Sequence, residues 1–156
     1  MWKLPEPYCD ELWYSVVSRY LERWKRADHR GLLEQILGPT TSVSAALSCP
    51  NARHLSKFQH PESDIDLARA TRALLRKHTL VPYFKHFLPS ATGVDVINSL
   101  TSDSPSLLSK VFTPASVSDL RYAQLKLCLE CRGDDFSCRR TQYWRRSHQL
   151  PGISIC

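Results

Sequence analysis

With 156 residues, 42% of them apolar and 23% charged, the chain has room for one ordinary globular domain, or for a domain and a small metal-binding module. Its apolar runs are too short to span a bilayer and its start lacks the apolar core of a signal peptide, so no membrane is expected and the expected location is cytoplasmic. The net charge of +6 and pI near 9.1 permit nucleic-acid binding without requiring it.

Pro5 and Pro7 keep the amino terminus extended. Asp10 is placed to cap a helix, with Glu11 at its positive end. Leu12, Trp13, Val16, Val17, Tyr20, Leu21 and Trp24 then recur with the helical period. Ser15, Ser18, Arg19, Glu22, Arg23 and Arg26 form the other face of this amphipathic helix. Leu32, Leu33, Ile36 and Leu37 predict a second short helix, ended by Gly38-Pro39. Asn51 is placed to cap a third, which carries Arg53, His54 and Lys57. Three short helices joined by turns are compatible with a helix-turn-helix unit.

Ser63-Asp64-Ile65-Asp66 resembles a capping box for a longer helix that runs to about Lys77, with Ile65, Ala68, Thr71, Leu74 and Leu75 inward. The aromatic stretch 78–89 predicts a short helix or turn packed into the core. Residues 90–120 combine Ser, Thr, Asp and Pro with two brief apolar clusters and predict two short helices. From Tyr122 the pattern changes. Leu125 and Leu127 alternate toward Cys128, and Ile153 and Ile155 toward Cys156, which predicts two short strands that bring cysteine ends together as in a zinc ribbon. The expected fold class is mainly α: a helical domain over 1–120 with helix-turn-helix character, then a partial zinc-ribbon or knuckle module over 121–156.

In a reducing compartment the six cysteines read as free thiols or metal ligands rather than disulfides. Cys128-Leu129-Glu130-Cys131 supplies two zinc ligands from one tight turn, and Cys156 is the third. The chain stops where a fourth ligand is expected, so the module reads as truncated. Cys138 and His148 are substitutes for Cys156, although His148 fits packing beside Trp144 better. A thiol-redox pair wants its cysteines to open a helix after a strand. The Leu-Glu interior and the Arg132-Gly133-Asp134-Asp135 that follows suit a knuckle instead, with the two aspartates in a solvated turn.

The positive charge lies at the ends. Residues 139–146 hold Arg139, Arg140, Arg145 and Arg146 around Tyr143 and Trp144 with no acid among them. Arginines between aromatics can contact phosphate while the rings stack, or can form a solvated face over an aromatic core. Arg53 and Lys57 are the corresponding candidates on the third helix. No phosphate loop, nucleophile elbow or H-E-x-x-H occurs, and no enzymatic activity is expected.

Four segments in order carry a family resemblance. They are Pro5-Glu6-Pro7-Tyr8-Cys9-Asp10-Glu11-Leu12-Trp13-Tyr14-Ser15, then His78-Thr79-Leu80-Val81-Pro82-Tyr83-Phe84 with Phe87-Leu88-Pro89, the C-x-x-C pair, and Tyr143-Trp144-Arg145-Arg146-Ser147-His148-Gln149-Leu150-Pro151-Gly152. The chain resembles the TniQ/TnsD family, target-selection proteins of certain bacterial DNA transposons. The resemblance implies a non-enzymatic adaptor that recognises target DNA or a guide-RNA effector complex and recruits an AAA+ ATPase regulator, which brings the transposase. It implies zinc-binding elements as scaffold. Leu129 departs from the proline that often follows the first cysteine, and of the family's later Cys-Pro-x-His pair only Cys156 is present. Members are usually much longer, so the resemblance covers the amino-terminal third or so of a typical one. The alternative is a small zinc-dependent DNA-binding regulator with no role in transposition.

Overall fold

A computed structural model describes residues 4–24, 31, 66–87, 124–154 and 156. Its described helices are α1 (Trp13–Trp24), α2 (Leu67–His78), α3 (Val81–Phe84) and α4 (Leu129–Arg139), with single 3-10 turns at Lys85–Phe87 and Ser147–Gln149. The class is mainly α, as expected. The short helices expected at 32–37, from Asn51 and within 90–120 lie outside the described residues, and with them the helix-turn-helix.

The apolar stripe of α1 does what its spacing predicts. Leu12, Trp13, Val16, Val17, Tyr20 and Leu21 are buried and form most of the described core, joined by Leu75, Leu80, Val81 and Tyr143. Thr71, Leu75 and His78 are buried along one face of α2, at the spacing of successive turns. The Thr79 hydroxyl donates to the Leu75 carbonyl at 2.6 Å and accepts the Val81 N–H at 3.2 Å, so it closes α2 and opens α3. Pro82 sits in the first turn of α3, where its missing N–H has no helical partner to lose.

The polar residues around α1 depart from the sequence reading. Asp10 does not cap this helix. Its φ is +57°, and its carboxylate faces the other end of the chain. There it accepts the Ser147 N–H at 3.1 Å, the Ser147 hydroxyl at 2.6 Å and Arg146 Nε at 3.2 Å. Glu11 is fully buried rather than displayed at a helix start. It accepts the Tyr8 N–H at 2.9 Å and a two-pronged pair from Arg19 at 2.8 and 2.6 Å. Ser15, assigned by period to the polar face, is buried and accepts the Trp144 N–H at 3.1 Å.

These contacts interlock the first and last motifs. The Leu12 N–H donates to the Trp144 carbonyl at 2.8 Å and the Arg146 N–H to the Asp10 carbonyl at 2.7 Å, with Glu11 and Arg145 in an isolated antiparallel bridge. Tyr8 and Tyr143 lie 5.2 Å apart, with the Arg19 guanidinium 4.2 Å over the Tyr8 ring. The middle motif joins them: His78 Nδ1 lies 2.7 Å from the Glu11 carbonyl, and Arg146 donates to the Arg76 carbonyl at 2.6 Å.

No strand occurs among the described residues, so the two expected around Cys128 and Cys156 are a correction. The alternating residues Leu127 and Ile153 are 45% and 41% exposed and bury no common face that a strand pair would need. A second correction concerns the C-x-x-C pair, which does open a helix. Cys128 is extended and precedes the first turn of α4, and Glu130 places an acid at the positive end of that helix. The aspartates expected in a turn lie inside α4, and Asp135 is only 1% exposed.

Candidate metal centre

Cys128 and Cys131 meet because the extended backbone at Cys128 turns into α4, and one helical turn carries Cys131 back over it. Cys156 arrives from the far side of the Pro151-Gly152 turn, in which Gly152 takes the positive φ of 78° that its missing Cβ permits. The three sulfurs lie within 4.8 Å of one another, and those of Cys131 and Cys156 are 3.4 Å apart. The three sequence-predicted ligands are thus brought together. Cys138 lies two turns further along α4, about 10 Å from Cys131 along the axis, and is exposed and outside the cluster.

The electrostatics of the cluster suit a cation. Backbone N–H groups of Cys131 and, more weakly, Glu130 point at the Cys128 sulfur and lower its pKa, against a smaller opposing effect of burial. The Cys131 thiol is pushed up to about 12, first by its hydrogen bond with Cys156, then by burial and by Cys128. Sulfurs this close resist joint ionisation, because each thiolate repels the next. A bound metal ion removes that conflict by displacing the protons. The donor set is soft and gathered at a half-buried surface, so the three cysteines can hold a metal ion.

What gathers them is polar. Gln149 is buried, and its side-chain amide pairs with the backbone of Lys126 as a neighbouring strand would. Oε1 accepts the Lys126 N–H at 2.9 Å, and Nε2 donates to the Lys126 and Arg145 carbonyls at 2.9 and 3.0 Å. The Lys126 ammonium donates to the Leu150 and Ile153 carbonyls at 3.3 and 2.9 Å. The approach to Cys128 is thereby tied to the approach to Cys156. No periodicity announces such a clamp; only the glutamine of the Gln149-Leu150-Pro151-Gly152 segment that carries the family resemblance marks it.

The arginines of residues 139–146 divide into two sets. Arg145 is paired with buried Asp135 at 2.7 Å, and Arg146 with Asp10 at 3.2 Å. Arg139 lies 3.6 Å from Asp135 and 5.3 Å over the Tyr8 ring. Arg140 closes α4 in the left-handed conformation and is exposed, with no side-chain partner among the described residues. It shares an open groove of about 600 Å³ between α1 and α4 with Arg132, Arg19, Trp144 and Phe136, the last 50% exposed. Arg53 and Lys57 lie outside the described residues. No described helix is long and apolar enough to cross a membrane.

The TniQ family profile matches residues 4–156, a span that takes in both interlocked ends and the three cysteines. The chain belongs to the TniQ family. It is similar to the transposon Tn7 transposition protein TnsD of Escherichia coli, 22% identical over 161 residues. The match takes in all of this chain and 30% of that relative, so the chain spans just under a third of the relative's length.

Proposed function

We propose that the chain serves target-site selection in DNA transposition as an adaptor without catalytic activity. In this reading it links target DNA, or a guide-RNA effector complex, to an AAA+ ATPase regulator and so to a transposase. The observation that carries the reading is the extent of the family match, residues 4–156, together with the similarity to a transposition protein. Three of the four family segments, the first, the second and the last, hold the chain together, which suits a scaffold that presents surfaces to partners.

Zinc is the proposed metal, held by Cys128, Cys131 and Cys156. Three thiolates suit its borderline-soft, tetrahedral chemistry, and bound zinc would fix the start of α4 against the tail beyond the Pro151-Gly152 turn. The proposed nucleic-acid contacts are Arg139, Arg140, Arg145 and Arg146, with Arg53 and Lys57. Exposed Arg140 leads them, since it stands in a groove with Arg132 and the aromatic rings of Phe136, Tyr143 and Trp144. Arg145 and Arg146 would contact phosphate with the faces left free by Asp135 and Asp10.

Titration of duplex DNA at two salt concentrations, and pull-down with the ATPase regulator of a TniQ-containing transposon, test this. Expected are retention of the ATPase and weak DNA binding with little sequence preference. Each neutralised phosphate releases counterions, so DNA binding should fall steeply with salt. Tight, salt-insensitive, sequence-specific DNA binding without ATPase retention would replace the adaptor with a stand-alone regulator.

A further inference from the structure

We propose that His148 is the positioning residue of the metal centre, donating a hydrogen bond from its Nε2–H to the Cys131 sulfur without itself binding the metal. The proposal rests on the reading of the three cysteines as a metal centre and adds an outer shell to it.

His148 Nε2 lies 3.8 Å from Cys131 Sγ, within reach of a hydrogen bond to sulfur. The ring is 9% exposed and so is held by packing rather than by solvent. Its backbone is fixed from both sides. The preceding residue, Ser147, gives its N–H and its hydroxyl to the Asp10 carboxylate. The following residue, Gln149, is clamped to Lys126 and Arg145. Few side chains near the cluster are placed so firmly.

A ligand must stand at ligand spacing from every other donor of the set, not from one alone. Donors about 2.0–2.3 Å from a tetrahedral ion lie on the order of 3.5–3.8 Å from one another. The three cysteine sulfurs close within 4.8 Å as a group, and His148 is not part of that group. It reaches one sulfur and stays outside the set.

The chemistry of the site gives that contact a purpose. Three thiolates around a divalent cation carry a surplus negative charge, which hydrogen-bond donors aimed at sulfur offset. Cys128 has such donors in the backbone N–H groups of Cys131 and Glu130. His148 gives Cys131 the same service from a side chain. Donors of this kind orient the ligand and typically contribute 10–100-fold to metal affinity.

The test compares zinc affinity, measured by chelator competition, in wild-type protein, His148→Phe and His148→Gln. Cobalt absorption reads the ligand set, and the ¹⁵N shifts of His148 are recorded in the zinc-loaded wild type. Expected is a roughly 10–100-fold loss of affinity in His148→Phe with the cobalt ligand-field bands unchanged. Substantial recovery is expected in His148→Gln, which keeps an N–H donor. The wild-type ¹⁵N shifts should show Nε2 protonated and free of metal, a result that needs no variant to fold. Unchanged affinity in His148→Phe would overturn the positioning role alone and leave the metal centre standing. A metal-bound Nε2 with altered cobalt bands would make His148 a ligand and overturn it differently. Wild-type protein that binds no zinc would remove both the positioning role and the centre beneath it.

Discussion

Two regions meet at residues 143–149, and they are held together by different means. Around α1 the chain closes on itself through buried apolar surface, the Glu11–Arg19 pair, and backbone bonds from Leu12 to Trp144 and from Arg146 to Asp10. Nothing in that interlock requires a bound ion. Around Cys131 the burial is slight: Leu127, Leu129, Phe136 and Ile153 are all large, apolar and exposed. There the sulfurs, the Gln149 clamp and the Lys126 ammonium do the gathering. An apolar core is stable by itself, whereas three thiols at a half-buried surface become a firm cross-link only when a cation displaces their protons. The first region should therefore survive loss of metal, and the second should not.

Four measurements sharpen or break that contrast. The largest effect belongs to Trp13, 1% exposed in the centre of the interlock. Trp13→Ala should cost about 3–5 kcal/mol in a denaturant melt, from lost burial and the cavity left behind. A change below about 1 kcal/mol would show that the core lies elsewhere. Next comes Glu11→Gln, which removes the charge that faces Arg19 at 2.6 Å and leaves one acceptor oxygen for the donors of Arg19 and Tyr8 that two now serve. A loss of about 2–3 kcal/mol is expected, and little salt dependence, since Glu11 is shielded from solvent.

Chelation tests the second region directly. With zinc bound as proposed, its removal should release protection of the α4 amides in hydrogen exchange while leaving those of α1 protected. Equal loss in both helices would mean that the two regions unfold as one unit.

The smallest effect is a pH dependence. His78 is buried against the Glu11 carbonyl, and desolvation, its main influence, lowers its pKa below the ordinary 6.5. Below pH 6.5 the unfolded chain therefore takes up a proton that the folded chain resists. Stability is full above that pH and falls as the pH drops toward the folded value, by at most about 1.4 kcal/mol per pH unit. Replacement by Gln should flatten this slope in melts at pH 5 to 7; an unchanged slope would assign it to other groups.

The amino-acid sequence determined the elements whose signal is local. The α1 stripe is legible because one helical period sorts apolar from polar residues over a dozen positions, and Trp13, Val17 and Tyr20 are buried as that period demands. The cysteine trio is legible because few functions place thiols at that spacing, and four ordered motifs identify the family. Tertiary structure decided the partners of the polar residues. Asp10 reads as a helix cap until Ser147 and Arg146 claim its carboxylate from 137 and 136 positions away. Asp135 reads as a solvated turn until Arg145 meets it in the interior. The strands expected beside Cys128 gave way to one glutamine side chain that makes a strand's hydrogen bonds with Lys126. Periodicity reports which face of a segment avoids water, but a buried carboxylate or amide is held by whichever donor the fold brings to it, and that donor lies far off in the chain.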